Sequence, residues 1–122
     1  MKYIFMAVFL LLLAGCFQNK VHYSYNKERY YQVELCKKLQ GIMEYRLKDK
    51  TRVDCLTNKY AIEVDWAKKW AESIGQSLYY AQMTDKIPAV GLICGKNDKR
   101  FIKRLNTVAQ KENIKVFILQ KK

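Results

Sequence analysis

The chain has 122 residues, enough for one small domain and too few for two. Half of them are hydrophobic, and 23 Lys and Arg against 11 Asp and Glu leave a net charge of +12, which favours anionic partners, either nucleic acid phosphates or anionic lipid head groups. Four cysteines and the lone His22 have no zinc-ligand spacing, and no repeat or low-complexity stretch is present.

The first segment, MKYIFMAVFLLLLAGC, places Lys2 before an apolar run from Tyr3 to Ala14 that is too short to span a bilayer and ends in small residues. This is the pattern of a secretory signal peptide. Leu13-Ala14-Gly15-Cys16 resembles the bacterial lipobox, which implies cleavage before Cys16 and a lipid on its thiol; an uncleaved anchor or an ordinary signal peptide is the alternative. Residues 1–15 are thus expected to be a lipoprotein signal peptide, 16–27 a lipidated tether and 28–122 a single domain. Phe17, rather than Asp, follows the cysteine, so the expected address is the cell envelope, at the outer membrane facing the periplasm where the cell has two membranes. A membrane tether gives the lysines a second reading, since they would face anionic lipid. Export permits disulfides, and Cys36, Cys55 and Cys94 allow one bridge. Cys36 to Cys55 is the preferred pair; three buried thiols are the alternative.

A helix is predicted from about Glu28, with Leu35, Cys36, Leu39, Ile42 and Met43 on one face and an end near Gly41 to Glu44. Glu44 then sits at or just beyond the helix C-terminus, where Met43 to Leu47 begins a first strand. Asp49-Lys50 marks a turn, and strands follow at 52–57 and 60–66 around Asn58-Lys59, where Asn suits a positive φ. A two-residue loop sets Thr57 opposite Tyr60 and, counting outward, Asp54 opposite Glu63. Ala61, Glu63 and Asp65 share one face, while Ile62, Val64 and Trp66 share the other. Facing like charges destabilise a strand pair. A cation between them reverses that cost; the alternative is a solvated acidic face neutralised by Arg52, opposite Asp65.

The next helix is predicted over 66–83, with Trp66, Trp70, Ile74, Leu78 and Ala81 on its apolar face and Lys69, Gln76 and Tyr80 within about 20° of one another at the margin, Ser73 nearby. After a loop at 84–87, a strand at 89–94, a helix capped by Asp98 and running to about Glu112, and a strand at 114–119 form a right-handed parallel crossover. Lys99, Arg100, Lys103, Arg104 and Lys111 make that last helix basic.

With Glu44 at the end of the first helix, Asp54 on one hairpin strand and Glu63-Val64-Asp65 on the next, the chain resembles the PD-(D/E)xK nuclease superfamily. Gln76 to Tyr80 resembles the QxxxY element of its RecB-like branch. The resemblance implies an α/β, restriction-endonuclease-like α-β-β-β-α-β core with an added C-terminal helix and strand, and a mixed central sheet flanked by helices. It implies that Glu44, Asp54 and Glu63 bind Mg²⁺ or Mn²⁺ and that Gln76 and Tyr80 position nucleic acid. The function implied is a membrane-anchored, magnesium-dependent nuclease-like protein hydrolysing phosphodiester bonds. Two departures stand out: Val53-Asp54 replaces the PD pair, and Asp65 occupies the place of the catalytic lysine. Lys69, one turn on, is the candidate substitute, and Lys68 points about 100° away. The alternative is a catalytically inactive lipoprotein of the same fold that binds nucleic acid, envelope polymer or a protein partner.

Overall fold

The computed structural model describes Ser24, Tyr25 and residues 27–122. The expected signal peptide, Cys16 and His22 lie outside the described residues. The first helix, α1 (Glu28–Lys38), is shorter than its apolar spacing predicts. It stops because the chain reverses at Gln40, in the left-handed region with φ of 54°, and the Gly41 amide returns to the Cys36 carbonyl at 2.9 Å. Ile42, expected on the helix face, instead opens a strand and is exposed.

Three antiparallel strands follow, β1 (Ile42–Arg46), β2 (Arg52–Leu56) and β3 (Tyr60–Trp66). Asp49 builds the first connection by accepting the Thr51 amide and hydroxyl, with Lys50 at a φ of 73°. The second connection is held by Thr57, whose hydroxyl accepts the Lys59 and Tyr60 amides. Asn58 does not take the positive φ expected of it.

A 3₁₀ turn at Ala67–Lys69 separates β3 from α2 (Trp70–Thr84), so Trp66 ends a strand rather than starting a helix. Strand β4 (Ile87–Cys94), α3 (Lys99–Glu112) and β5 (Lys115–Gln120) complete the chain. Asp85 and Asn113 end α2 and α3 in the left-handed conformation, which short polar side chains tolerate. Asp98 precedes α3 as expected, but its carboxylate accepts the Gly95 amide at 2.7 Å instead of capping the helix.

The fold is α/β, with a five-stranded mixed sheet in the order β1-β2-β3-β4-β5, in which β3, β4 and β5 run parallel. Helix α1 covers one face through Tyr31, Leu35 and Cys36, packed on Ile62, Val64 and Ile93. Helices α2 and α3 cover the other, where Leu105 and Ala109 meet Val90 and Leu92. Each fully buried Ile, Leu or Val of these layers contributes about 1.5–3 kcal/mol through burial. The most buried residues of α2 are Ser73, Ser77, Tyr80 and Ala81, while Trp70, Ile74 and Leu78 are partly buried. Two small serines, their hydroxyls returned to the Lys69 and Ile74 carbonyls, bring that helix close to the sheet.

Cys36 and Cys55 form a disulfide with Cα atoms 5.6 Å apart, tying α1 to β2. Gly41 lies against it, since a Cβ there would stand 2.4 Å from the Cys55 sulfur. Cys94 is a buried free thiol, and burial pushes its pKa up to about 11. Among the described residues no helix is long and apolar enough to cross a membrane.

Candidate active site

The site forms where β2 breaks the regularity of the sheet. Cys55 pairs with Ile62 and Leu56 with Ala61, and one further step sets Asp54 level with Glu63. There the ladder stops, and an Asp54 carboxylate oxygen accepts the Val64 amide at 2.8 Å. Neighbouring β1 is disturbed at the same level: Met43 and Tyr45 pair with Cys55 and Val53, but Glu44 between them has a φ of 53°. Val53 and Cys55, both fully buried, enter cores on opposite sides of the sheet. Residues two apart on a regular strand share a face, so the strand turns over at Asp54.

Helix α1 repairs the polar groups this turn exposes. The Gln32 amide donates to the Asp54 carbonyl and to the Glu44 carboxylate, each at 2.9 Å, and Arg29 bonds Glu44 at 2.7 Å. Gln32 is only 3% exposed, so this buried amide is fully committed.

Four carboxyl groups gather beside the turn in two pairs. Glu63 donates to Asp54, and Glu28 from the first turn of α1 donates to Asp65. Glu63 and Asp65 are 6% and 5% exposed. Burial first, then the charge of Asp54, pushes Glu63 up to about 9. Burial also raises Asp54 to about 6 against the lowering effect of the Val64 amide. Glu28 rises to about 7 through burial and the charges of Asp65 and Asp54. Asp65 is raised by burial, while the Trp66 amide and the Lys69 charge oppose the shift. Each of these groups resists ionisation beside the others, and a cation among them would reverse the cost.

Lys69 is the cation whose charge reaches both Asp65 and Glu28. Arg52, the neutraliser expected for Asp65, is exposed and stands against Arg46 of β1. From α2, Tyr80 approaches Glu63 and Asp54; burial first, then the charges of these two acids, raise its phenol, and Gln76 hydrogen-bonds to it. The structure therefore brings Asp54, Glu63, Asp65, Lys69, Gln76 and Tyr80 together.

Glu44 requires a correction. It belongs to strand β1 rather than to the end of the first helix, and Arg29 and Gln32 bond one oxygen of its carboxylate, whose charge still reaches Asp54. The helix acid facing the site is Glu28, which sequence reasoning passed over. The signal was present in the spacing, because Glu28, Gln32 and Cys36 fall on one α1 face at steps of four. Among the described residues no group of three or more His, Cys, Asp or Glu side chains comes together tightly enough to hold a metal ion. The acids meet two by two.

No family model matches the chain, and no solved structure matches it. Part of it is similar to a putative KilA-N domain-containing protein of Acanthamoeba polyphaga mimivirus, 34% identical over an alignment of 77 positions that covers 54% of this chain and 21% of that protein. The chain thus spans about a fifth of that relative's length.

Proposed function

We propose that this chain is a membrane-anchored, magnesium-dependent nuclease-like protein that hydrolyses phosphodiester bonds of nucleic acid, with a restriction-endonuclease-like core. The observation that carries the reading is the meeting of Asp54 with Glu63 and of Glu28 with Asp65 at the point where β2 leaves β3. The element order of a helix, three antiparallel strands, a helix and a parallel strand supports the core topology. The chain's +12 charge supports a polyanionic substrate. A lipid on Cys16 would hold the protein at the envelope, and the Cys36–Cys55 disulfide suits an oxidising compartment.

All four groups offer carboxylate oxygens, the donor type that a hard divalent cation takes, and the two pairs would have to draw together to hold one. Asp54 and Glu63 would hold Mg²⁺ or Mn²⁺, with Asp65 or Glu28 completing the set. When bound, such an ion polarises the scissile phosphate and lowers the pKa of a coordinated water. Lys69 would supply a positive charge beside Asp65, where a nuclease of this type needs a cation near the charge that develops on the phosphate. Tyr80 lies beside Glu63 and Asp54, and the exposed Gln76, hydrogen-bonded to it, would help position the nucleic acid.

The test is cleavage of plasmid and single-stranded substrates by the full chain in detergent with Mg²⁺ or Mn²⁺. Metal-dependent activity lost in Glu63→Ala is expected, and equal activity in the two proteins would sink the reading. The second reading, a protein of the same fold that binds without cutting, is favoured by one observation: Asp65 stands where the motif lysine belongs. It predicts metal-independent nucleic acid binding with no cleavage at any metal concentration.

A further inference from the structure

One cavity among the described residues sits not on the acids but directly beside them. It has a volume of about 550 Å³ and is lined by Trp66, Lys68, Arg100, Phe101 and Lys121, with Asp98, Ala67 and Ile93 completing the wall. It opens at the carboxyl ends of β3 and β4, next to the start of α3. Chain continuity fixes its distance from the acids: Trp66 follows Asp65 and donates its amide to that carboxylate at 2.8 Å. Lys68 and Lys69 divide between the two places, since Lys69 acts on Asp65 and Glu28 while Lys68 lines the cavity.

The lining combines flat rings with cations. The Arg100 guanidinium lies 4.7 Å from the centre of the Phe101 ring, and the Lys121 ammonium lies 5.6 Å from the centre of the Trp66 ring. Lys68, Arg100 and Lys121 are exposed, and Arg100 and Lys121 can turn from their rings toward an anion. The single acid of the wall, Asp98, has its carboxylate turned onto the Gly95 amide. Three cations and two aromatic rings around one engaged carboxylate form a poor site for a metal or a neutral ligand. They form a good one for a group that carries both a phosphate and a planar ring, because sequence-tolerant recognition of single strands pairs a positive groove with aromatic stacking.

Resting on the nuclease reading, we propose that this cavity is a nucleotide subsite that takes one unpaired nucleotide of the substrate strand, its base against Phe101 or Trp66 and its phosphate on Lys68, Arg100 and Lys121. The neighbouring phosphate of the same strand then lies at Asp65 and Asp54. A duplex cannot offer a base to the rings without unstacking it, so the protein prefers single-stranded nucleic acid or a frayed end over intact duplex.

Trp66 reports its own occupancy. In the full chain carrying Trp70→Phe, with EDTA present so that no cleavage intervenes, an oligothymidylate is expected to quench the remaining tryptophan fluorescence, and a blunt duplex of equal charge is expected to bind about tenfold more weakly. Arg100→Gln, a substitution at an exposed position, weakens the oligonucleotide by about fivefold or more, and Phe101→Leu does so by about tenfold. Inorganic polyphosphate gives no quenching. The subsite is overturned by absent quenching, by equal quenching with polyphosphate, or by Arg100→Gln and Phe101→Leu proteins that bind as wild type does. Quenching without metal-dependent cleavage would keep the subsite and remove the nuclease reading; cleavage without quenching would do the reverse.

Discussion

The Asp54 carboxylate accepts the Val64 amide at 2.8 Å, standing in for a backbone acceptor at the level where β2 turns away from β3. One side chain therefore both terminates a strand ladder and presents an oxygen to Glu63. The two roles separate by substitution. Asp54→Ala leaves a buried amide unpaired and is expected to cost about 1–3 kcal/mol in urea unfolding. Asp54→Asn keeps an oxygen acceptor at the same place, so its stability should stay within about 1 kcal/mol of wild type while Mg²⁺-dependent activity disappears. An Asn protein that cleaves as well as wild type would show that Asp54 is only a strand terminator.

The paired acids make stability fall with rising pH. Glu63 has an ordinary value of 4.5 and a folded value of about 9, so the folded chain holds its proton more tightly than the unfolded chain does. That contribution is fully present below about pH 4.5 and is lost as pH climbs through 9; Glu28, at about 7, and Asp54, at about 6, act in the same direction. Metal-free protein should melt at least ~4 °C lower at pH 8.5 than at pH 5.5. Glu63→Gln should flatten the profile and raise the melting temperature at the alkaline end. Added Mg²⁺ should stabilise wild type more at pH 8.5 than at pH 5.5, because it competes with protons for the same oxygens. Scanning fluorimetry across this range checks all three, and a Mg²⁺ shift independent of pH would mean the ion binds elsewhere.

Which acid of the first helix region serves the site is decided by Glu28 and Glu44. Glu44 is committed to Arg29 through a partly exposed ion pair, of the kind worth at most about 1 kcal/mol. Glu44→Gln keeps an oxygen for the Gln32 amide and should leave cleavage close to wild type. Glu28→Gln should weaken the response to Mg²⁺ by about 10- to 100-fold in a titration followed by activity. The opposite ranking would return the role to Glu44.

The strand register near the site was legible because a turn fixes it. The Thr57 amide bonds the Tyr60 carbonyl at 2.9 Å, and counting outward from that turn sets Asp54 level with Glu63. The end of α1 was not legible, because Ile42 and Met43 extend the helical apolar spacing past the point where tertiary structure stops the helix. What stops it is the left-handed Gln40 and the packing of Gly41 on a disulfide, neither of which hydrophobic spacing records. Misplacing that end made Glu44 the helix acid and left Glu28 unread. The placement of Lys69 beside Asp65 survived a wrong helix boundary, since the 3₁₀ turn rotates it by a different angle but leaves it one turn beyond Asp65.

The same disulfide couples to Gly41. Cys36 and Cys55 lie 19 residues apart, and removing a bridge over such a loop is expected to cost about 3 kcal/mol. Gly41→Ala should destabilise the oxidised protein, because its Cβ would stand 2.4 and 2.9 Å from the two sulfurs. In a Cys36→Ala, Cys55→Ala background the same change should cost much less, leaving only the approach to the Leu56 carbonyl at 3.1 Å. Urea unfolding of the four proteins forms a double-mutant cycle, and additive effects would show that Gly41 is needed for its backbone rather than for the bridge.

Asp65 and Lys69 test whether the missing motif lysine has moved. If Lys69 supplies the cation for the chemistry, Lys69→Ala should lower single-turnover cleavage by about 10²-fold or more, whereas Lys68→Ala should alter substrate affinity with little effect on the chemical step. Asp65→Lys places an ammonium beside Glu28, its present partner, and removes one of the acids whose charges raise Glu63. Combined with Lys69→Ala, it should recover cleavage to within about tenfold of wild type, because the positive charge returns to the same corner of the site from the strand instead of the turn. Failure of this rescue, with metal affinity intact, would mean that Asp65 is itself a ligand and cannot be exchanged. Unimpaired cleavage by the Lys69→Ala protein alone would dismiss Lys69 from the mechanism altogether.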